Sequence, residues 1–181
     1  MKTQLQLIAL AIACLTSTAT AQTENAAPPV AEALRSIAQR AEKNLVAAAE
    51  EMPPGKYSFK PTPAQMSFGD VIAHLSQGND YLCSTIAGVA APKRDAELKG
   101  DASKAKLVSR LKETFRFCQS ALARVDDSKL SEPLPFFGER KLSRAEVMFA
   151  TAEDWADHYS QVAIYLRLNG LLPPTAKQKQ E

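Results

Sequence analysis

The chain contains only two histidines, His74 and His158, and the second follows Asp154 by one helical turn. Imidazole and carboxylate groups are common ligands of divalent ions and common general acids and bases. At about 100° per residue, a D-x-x-x-H pair sets its two side chains within about 40° of each other on one helix face. With Val147 placed at zero, Tyr165 falls at about zero, Asp154 near 340° and His158 near 20°, while Glu153, Asp157, Ser160 and Arg167 share the solvent face. Asp154 thus stands at the rim of the apolar stripe, where a carboxylate is costly unless it is paired, hydrogen-bonded or bound to a metal. His74 lies about 60° from Val71 and about 100° from Leu75, at the edge of its own stripe. If the two helices are neighbours, His74, Asp154 and His158 converge as two imidazoles and a carboxylate around a divalent ion, with coordination positions left free. The plainer arrangement from spacing alone has Asp154 orienting His158 through an i,i+4 contact and His74 as a satisfied rim histidine.

The elements that must position these residues follow from the apolar periodicity. Val30, Leu34, Ile37, Ala41, Leu45, Ala48 and Met52 recur at spacings of three and four and define a first helix, which Pro53-Pro54-Gly55 stops. Lys56 to Gln65 reads as an extended connection. Ser67 with Asp70 three residues on makes a capping-box start for a second helix, whose stripe is Phe68, Val71, Ile72, Leu75, Leu82 and Ile86 and which fades at Gly88. A third helix from about Ala102 carries Leu107, Leu111, Phe115, Cys118, Leu122 and Val125 and ends near Asp126-Asp127. Residues 128 to 142, with Pro133, Pro135 and Gly138 around Phe136-Phe137, predict a structured loop or a short extended excursion. Ser143 and Glu146 form a second capping box, and a fourth helix runs through Val147, Thr151, Trp155, His158, Val162 and Tyr165 to Asn169-Gly170.

Composition limits the function classes. With 45% hydrophobic and 23% charged residues the chain is neither collagen, coiled-coil rod nor disordered tail, and at 181 residues one domain is expected. A net charge of +2, evenly scattered, gives no footprint for a nucleic-acid partner. Met1-Lys2, the apolar run Leu5 to Leu15 and the A-x-A pattern of Ala19 and Ala21 read as a secretory signal peptide cleaved after Ala21. The run is too short to span a bilayer, and Cys14 lacks the leucine usual in a lipoprotein site. Export to the periplasm or beyond would leave Gln22 as the first residue, lower the charge to +1 through loss of Lys2, and leave Cys83 and Cys118. In an oxidising compartment that pair permits one disulfide, provided the Cα atoms approach within about 7 Å; otherwise the two are small buried core thiols.

Several stretches together carry a family resemblance: Tyr57-Ser58-Phe59-Lys60-Pro61, Ser67 through His74-Leu75, Asp154-x-x-x-His158-Tyr159, and Tyr165 to Gly170 followed by Pro173-Pro174. Over nearly the whole mature length the chain resembles the DinB-like family of helical-bundle proteins. The resemblance implies a metal site in which a histidine of the second helix joins an H-x-x-x-H pair of the last long helix, often around zinc or nickel. His74 and His158 match the first and third positions, and Asp154 stands where the family has its middle histidine. A carboxylate there moves preference toward harder ions such as manganese or iron(II), although zinc accepts it, so zinc, nickel, manganese and iron are not distinguished. Some relatives are thiol S-transferases or thiol-dependent isomerases, but an exported chain would not meet abundant cytosolic thiols. A metal-bound hydroxide acting in hydrolysis suits the same open site. The family analogy also implies a homodimer.

The expectation is therefore an all-α protein, a four-helix bundle of DinB-like type over residues 30–174, with a signal peptide 1–21, a flexible leader 22–29 and a polar tail 175–181. Its function would be that of a divalent-metal-dependent hydrolase or transferase acting on a small molecule; the alternative is a non-catalytic helical binding or structural protein on the same scaffold. Tyr57, Phe59 and Trp155 are read as core fillers or pocket lining, and Lys104, Lys106 and Arg110 as a solvated helix face.

Overall fold

The computed structural model describes residues 28–94 and 98–177. The expected signal peptide, most of the 22–29 leader and the last four residues of the tail lie outside the described residues. Four long helices form the body: α1 (Pro29–Glu51), α2 (Phe68–Ala87), α3 (Lys104–Leu122) and α4 (Arg144–Leu168), followed by a short α5 (Pro174–Lys177). Both sequence-predicted capping boxes are present. Ser67 accepts from the Asp70 backbone amide while the Asp70 carboxylate accepts from that of Ser67, and Ser143 and Glu146 do the same. The α1 start has no such local cap, since Pro28 precedes it. Its first free amides, on Val30 and Ala31, instead donate to the two carboxylate oxygens of Asp127 at 2.9 Å each.

Contacts between helices fix their directions. Asp127, beyond α3, holds the start of α1, and Lys104 at the start of α3 donates to the carbonyls of Glu50 and Met52 at its end, so α1 and α3 are antiparallel. On α2 and α3, Asn79 meets Thr114 and, one turn on in both helices, Cys83 meets Cys118, so these two run parallel. Tyr165 near the end of α4 donates to Met66 just ahead of α2, and Trp155 donates to Asn79, which makes α4 antiparallel to α2. The order around the bundle is α1, α3, α2, α4, with α1 and α4 pointing one way and α2 and α3 the other.

Two parallel neighbours in sequence require a connection that returns the length of a helix. Residues 88–103 make it, starting at Gly88 in the left-handed region (φ 64°). Arg94 anchors the return by a two-pronged ion pair to Asp80 on α2, at 2.7 and 2.8 Å. The return closes where Gly100 meets Gly69: a Cβ on Gly69 would lie 2.1 Å from the Gly100 carbonyl oxygen. Two glycines are needed for backbone to approach backbone this closely.

The 128–142 stretch contains a two-stranded antiparallel hairpin, β1 (Pro133–Pro135) and β2 (Lys141–Ser143), with Leu134 opposite Leu142. Its turn places Gly138 and Glu139 at positive φ, and the tip is held to α2 by Phe137 stacked on Tyr81 with ring centroids 4.3 Å apart. The start of the sequence-predicted tail is ordered as α5, where Lys177 pairs with Glu51 and Thr175 bonds to Tyr159. Lys104 is not simply solvated, because it closes the end of α1; Arg110 pairs with Glu113, and Lys106 is exposed.

The core holds Trp155, Phe68, Phe115 and Tyr165 with the aliphatic stripes of all four helices. Tyr57 is core, its hydroxyl donating to the Ala49 carbonyl at 2.6 Å, and burial followed by the charge of Glu50 holds that phenol well above its ordinary pKa. Phe59 packs on the core edge-on to Tyr165. Of the two readings open for the cysteines, the structure has the disulfide: Cys83 and Cys118 are bridged with Cα atoms 5.2 Å apart, both fully buried. The bridge spans 35 residues including the returning connection, so the double variant Cys83→Ala/Cys118→Ala should lose about 3–4 kcal/mol of stability in the loop-entropy account. Denaturant unfolding of the two proteins measures this; equal midpoints would show that the bridge restrains nothing.

Candidate functional site

α4 lies against α2, and this adjacency brings the three polar side chains singled out in the sequence to one place. One ligand atom from each of His74, Asp154 and His158 lies within 4.8 Å of the other two. The His74 and His158 rings face each other at 5.0 Å between centroids, tilted by 34°. His74 is exposed, Asp154 half-buried and His158 buried, so the group grades from solvent at His74 into the interior at His158.

The orientation of the His158 ring follows from its contacts. Nδ1 lies 2.8 Å from the Asp154 backbone carbonyl, which can only accept, so Nδ1 carries the proton and donates it. Asp154 Oδ1 is 3.4 Å from the same nitrogen. In the neutral ring this leaves the lone pair on Nε2, the nitrogen with which such a histidine binds a metal while its other nitrogen donates to a carbonyl. The i,i+4 contact that spacing suggested as an alternative role for Asp154 is thus real and coexists with convergence on His74.

Asp154 lies over the α2 backbone: a Cβ on Gly78 would sit 3.7 Å from Oδ2. Burial holds the Asp154 carboxyl above its ordinary pKa, the facing His158 and His74 pull it back down, and Asp157 adds to the rise. Among the described residues no lysine or arginine pairs with this part-buried carboxylate, and the charged groups acting on it are His158, His74 and Asp157.

Sequence reasoning did not single out Gln161. It follows His158 by three residues and Asp154 by seven, on the same edge of α4, and its Oε1 is buried without a hydrogen-bond partner among the described residues. The i,i+4,i+7 spacing was the available signal. Tyr165, one turn further, is committed: its hydroxyl donates to Met66 at 2.9 Å.

The register of α4 on α2 is set one residue from Asp154. Trp155 Nε1 donates to Asn79 Oδ1 at 2.7 Å, and Asn79 Nδ2 donates to Thr114 Oγ1 at 3.1 Å, all three residues being buried. By contrast, the apolar groove between α1 and α4, about 210 Å³ and lined by Val30, Leu34, Ile37, Met148 and Phe149, has no titratable group in its wall.

Comparison with known proteins agrees with this architecture. The DinB superfamily pattern matches residues 37–162, well over half of the chain. A DinB-like protein from Bacillus cereus superposes with a TM-score of 0.64 at 17% identity, covering 79% of this chain and 95% of that one. A DinB-like protein from Bacillus subtilis gives 0.62 at 19% identity, covering 76% and 92%. A conserved protein from Enterococcus faecalis gives 0.60 at 14%, covering 75% and 94%. At these identities the likeness speaks for the fold. No curated protein matches the sequence.

The half-buried Asp154 yields a prediction about the metal-free protein. Its pKa is raised on folding, so the unfolded chain loses the proton first as pH rises, and the folded state carries a penalty from the ordinary carboxylate pKa upward. Asp154→Asn should raise the metal-free Tm by a few °C at neutral pH, the scale of one relieved buried group, and by nothing in acid below that ordinary pKa. Melting curves at both pH values test it; a lower Tm at neutral pH would mean that Asp154 is already balanced by the protein.

Proposed function

The chain belongs to the DinB superfamily, and from that premise we propose that it is a metalloprotein in which His74, Asp154 and His158 hold one divalent ion. The observation that carries this reading is the meeting of three ligand atoms within 4.8 Å from two helices that sequence alone did not make neighbours. The donor set fits such an ion. Two neutral imidazoles and one carboxylate leave net positive charge on a bound divalent cation and free coordination positions on one side. His158 is already oriented by its own helix, and the exposed edge of His74 leaves the group open to solvent.

The ion when bound supplies Lewis acidity and an activated water or small nucleophile at neutral pH. The protein's own part is to place the three ligands and hold the His158 tautomer. This arrangement suits a hydrolase or transferase acting on a small molecule. The charge balance offers nothing to nucleic acid, and no helix among the described residues is long and apolar enough to cross a membrane.

We also propose that the protein works outside the cytosol. The pattern of residues 1–21 and the Cys83–Cys118 disulfide support this independently, because structural disulfides persist mainly in oxidising compartments. Mass spectrometry of protein recovered from its native host should find Gln22 as the first residue, and an intact Met1 in the cytosol would contradict it.

Removal of one ligand tests the metal reading. His158→Ala should weaken zinc, manganese or nickel binding by roughly a hundredfold or more, beyond the effect of losing a residue that only orients a ligand. Its circular dichroism should remain that of the wild type. Titration calorimetry on the chelator-treated proteins decides the matter, and a wild type that binds none of the three ions would leave only a scaffold.

A further inference from the structure

A second polar hollow, of about 210 Å³, lies at the end of the bundle where α2 and α3 stop and α4 starts. Its wall includes Ala87 at the end of α2, the residues just past α3 and Arg144, the first residue of α4. Along α4, Arg144 precedes Asp154 by ten residues, about 15 Å, and His158 by about 21 Å, so this hollow is separate from the three-residue group. Three cationic side chains line it, Arg124, Lys129 and Arg144, and Asp126 is the one acid among the lining residues.

Arg144 is only 7% exposed. A guanidinium so buried is costly unless its charge and its donors are met. Its Nη2 donates to Glu132 at 2.6 Å, but Nε, shielded from solvent, has no acceptor among the described residues. A guanidinium carries donors only, so the missing partner is an acceptor whichever way the group is turned. Arg124 and Lys129, both exposed, make no side-chain hydrogen bond or ion pair among the described residues. Asp126 is engaged elsewhere: its carboxylate accepts from the Ser128 amide at 2.8 Å and from the Ser128 hydroxyl. The amides at the start of α4 are taken too, that of Arg144 by the Glu132 carbonyl, that of Ala145 by the Leu130 carbonyl and that of Glu146 by Ser143. The hollow is therefore electropositive through its side chains, and Asp126 with Glu132 leaves one of its three positive charges unanswered.

We propose that this hollow binds an oxyanion of the phosphate class, with buried Arg144 at its base and exposed Arg124 and Lys129 at its mouth. Phosphate offers separate oxygens to three donor groups and matches the forked geometry of arginine, whereas a carboxylate has two oxygens to share. The ligand is inorganic phosphate or the phosphate end of a small molecule. The inference stands apart from the metal reading, and neither depends on the other.

The test uses the purified, chelator-treated chain, titrated with sodium phosphate at constant ionic strength with chloride as the balancing anion. Amide and arginine side-chain resonances are followed by NMR. Phosphate should produce saturable shifts at Ser128, Lys129 and Arg144, including the Arg144 Nε–H, and acetate should bind about fivefold or more weakly. The double variant Arg124→Gln/Lys129→Gln, altered only at exposed positions, should keep its circular dichroism and bind phosphate about tenfold or more weakly. Asp126→Asn keeps an acceptor for Ser128, removes the opposing charge and should tighten phosphate binding by about threefold. Glycerol 3-phosphate identifies the source: tighter binding than phosphate marks the end of an organic molecule, and equal or weaker binding marks free phosphate. The proposal is overturned if phosphate does not saturate, if the Arg144 Nε–H does not move, if acetate binds as tightly, or if the double variant binds like the wild type.

Discussion

Everything at the site depends on one buried amide. Asn79 receives the indole N–H of Trp155 on α4 and donates to Thr114 on α3, so a single side chain on α2 ties three helices together. Inside the bundle each of these bonds is expensive to leave unmade, and a network satisfied throughout specifies one register where apolar packing alone would tolerate several. A slip of α4 by one residue would turn its faces by about 100°, leave the indole N–H unpaired and carry Asp154 and His158 away from His74. The disulfide one turn beyond Asn79 and Thr114 holds the α2–α3 pair to which Trp155 is fastened.

Against that rigid frame, the site itself accumulates unfavourable features. Asp154 is part-buried and resists ionisation, Gln161 Oε1 is buried without a hydrogen-bond partner among the described residues, and two imidazoles face each other across the α2–α4 seam. None of these helps the chain fold. On the proposed metal reading these features belong to a site built for a cation, with stability supplied by the Asn79 network, the bridge and the apolar core. The apolar groove between α1 and α4 carries no comparable tension, although it is a well-formed hollow in the same helices.

How far the sequence spoke varies with the range of the interaction. Helix spans and both capping boxes were readable because period and caps are local, and Asp154 with His158 were readable for the same reason. His74 could be placed at a helix edge, but its partnership with α4 rested on family resemblance, since spacing says nothing of which helices touch. The parallel run of α2 and α3 was not readable: residues 88–103 have no periodicity, and their return depends on Arg94 finding Asp80 and on Gly100 meeting Gly69. Cys83 and Cys118 stayed open between thiols and bridge because a Cα separation is a tertiary quantity. The capping of α1 by Asp127 and of its end by Lys104 likewise joins groups far apart in the chain. Gln161 looked like an ordinary polar residue until its oxygen was seen to lack a partner.

The account makes the convergence of three side chains on one ion its central claim, and anomalous diffraction from a crystal grown with manganese, zinc or cobalt tests it most directly. The account predicts one strong anomalous peak per chain between α2 and α4, with an atom of His74, of Asp154 and of His158 each about 2.0–2.2 Å away in the zinc case. An ordered crystal with these three side chains in place and no peak between them, or with its only peak elsewhere on the surface, would contradict it.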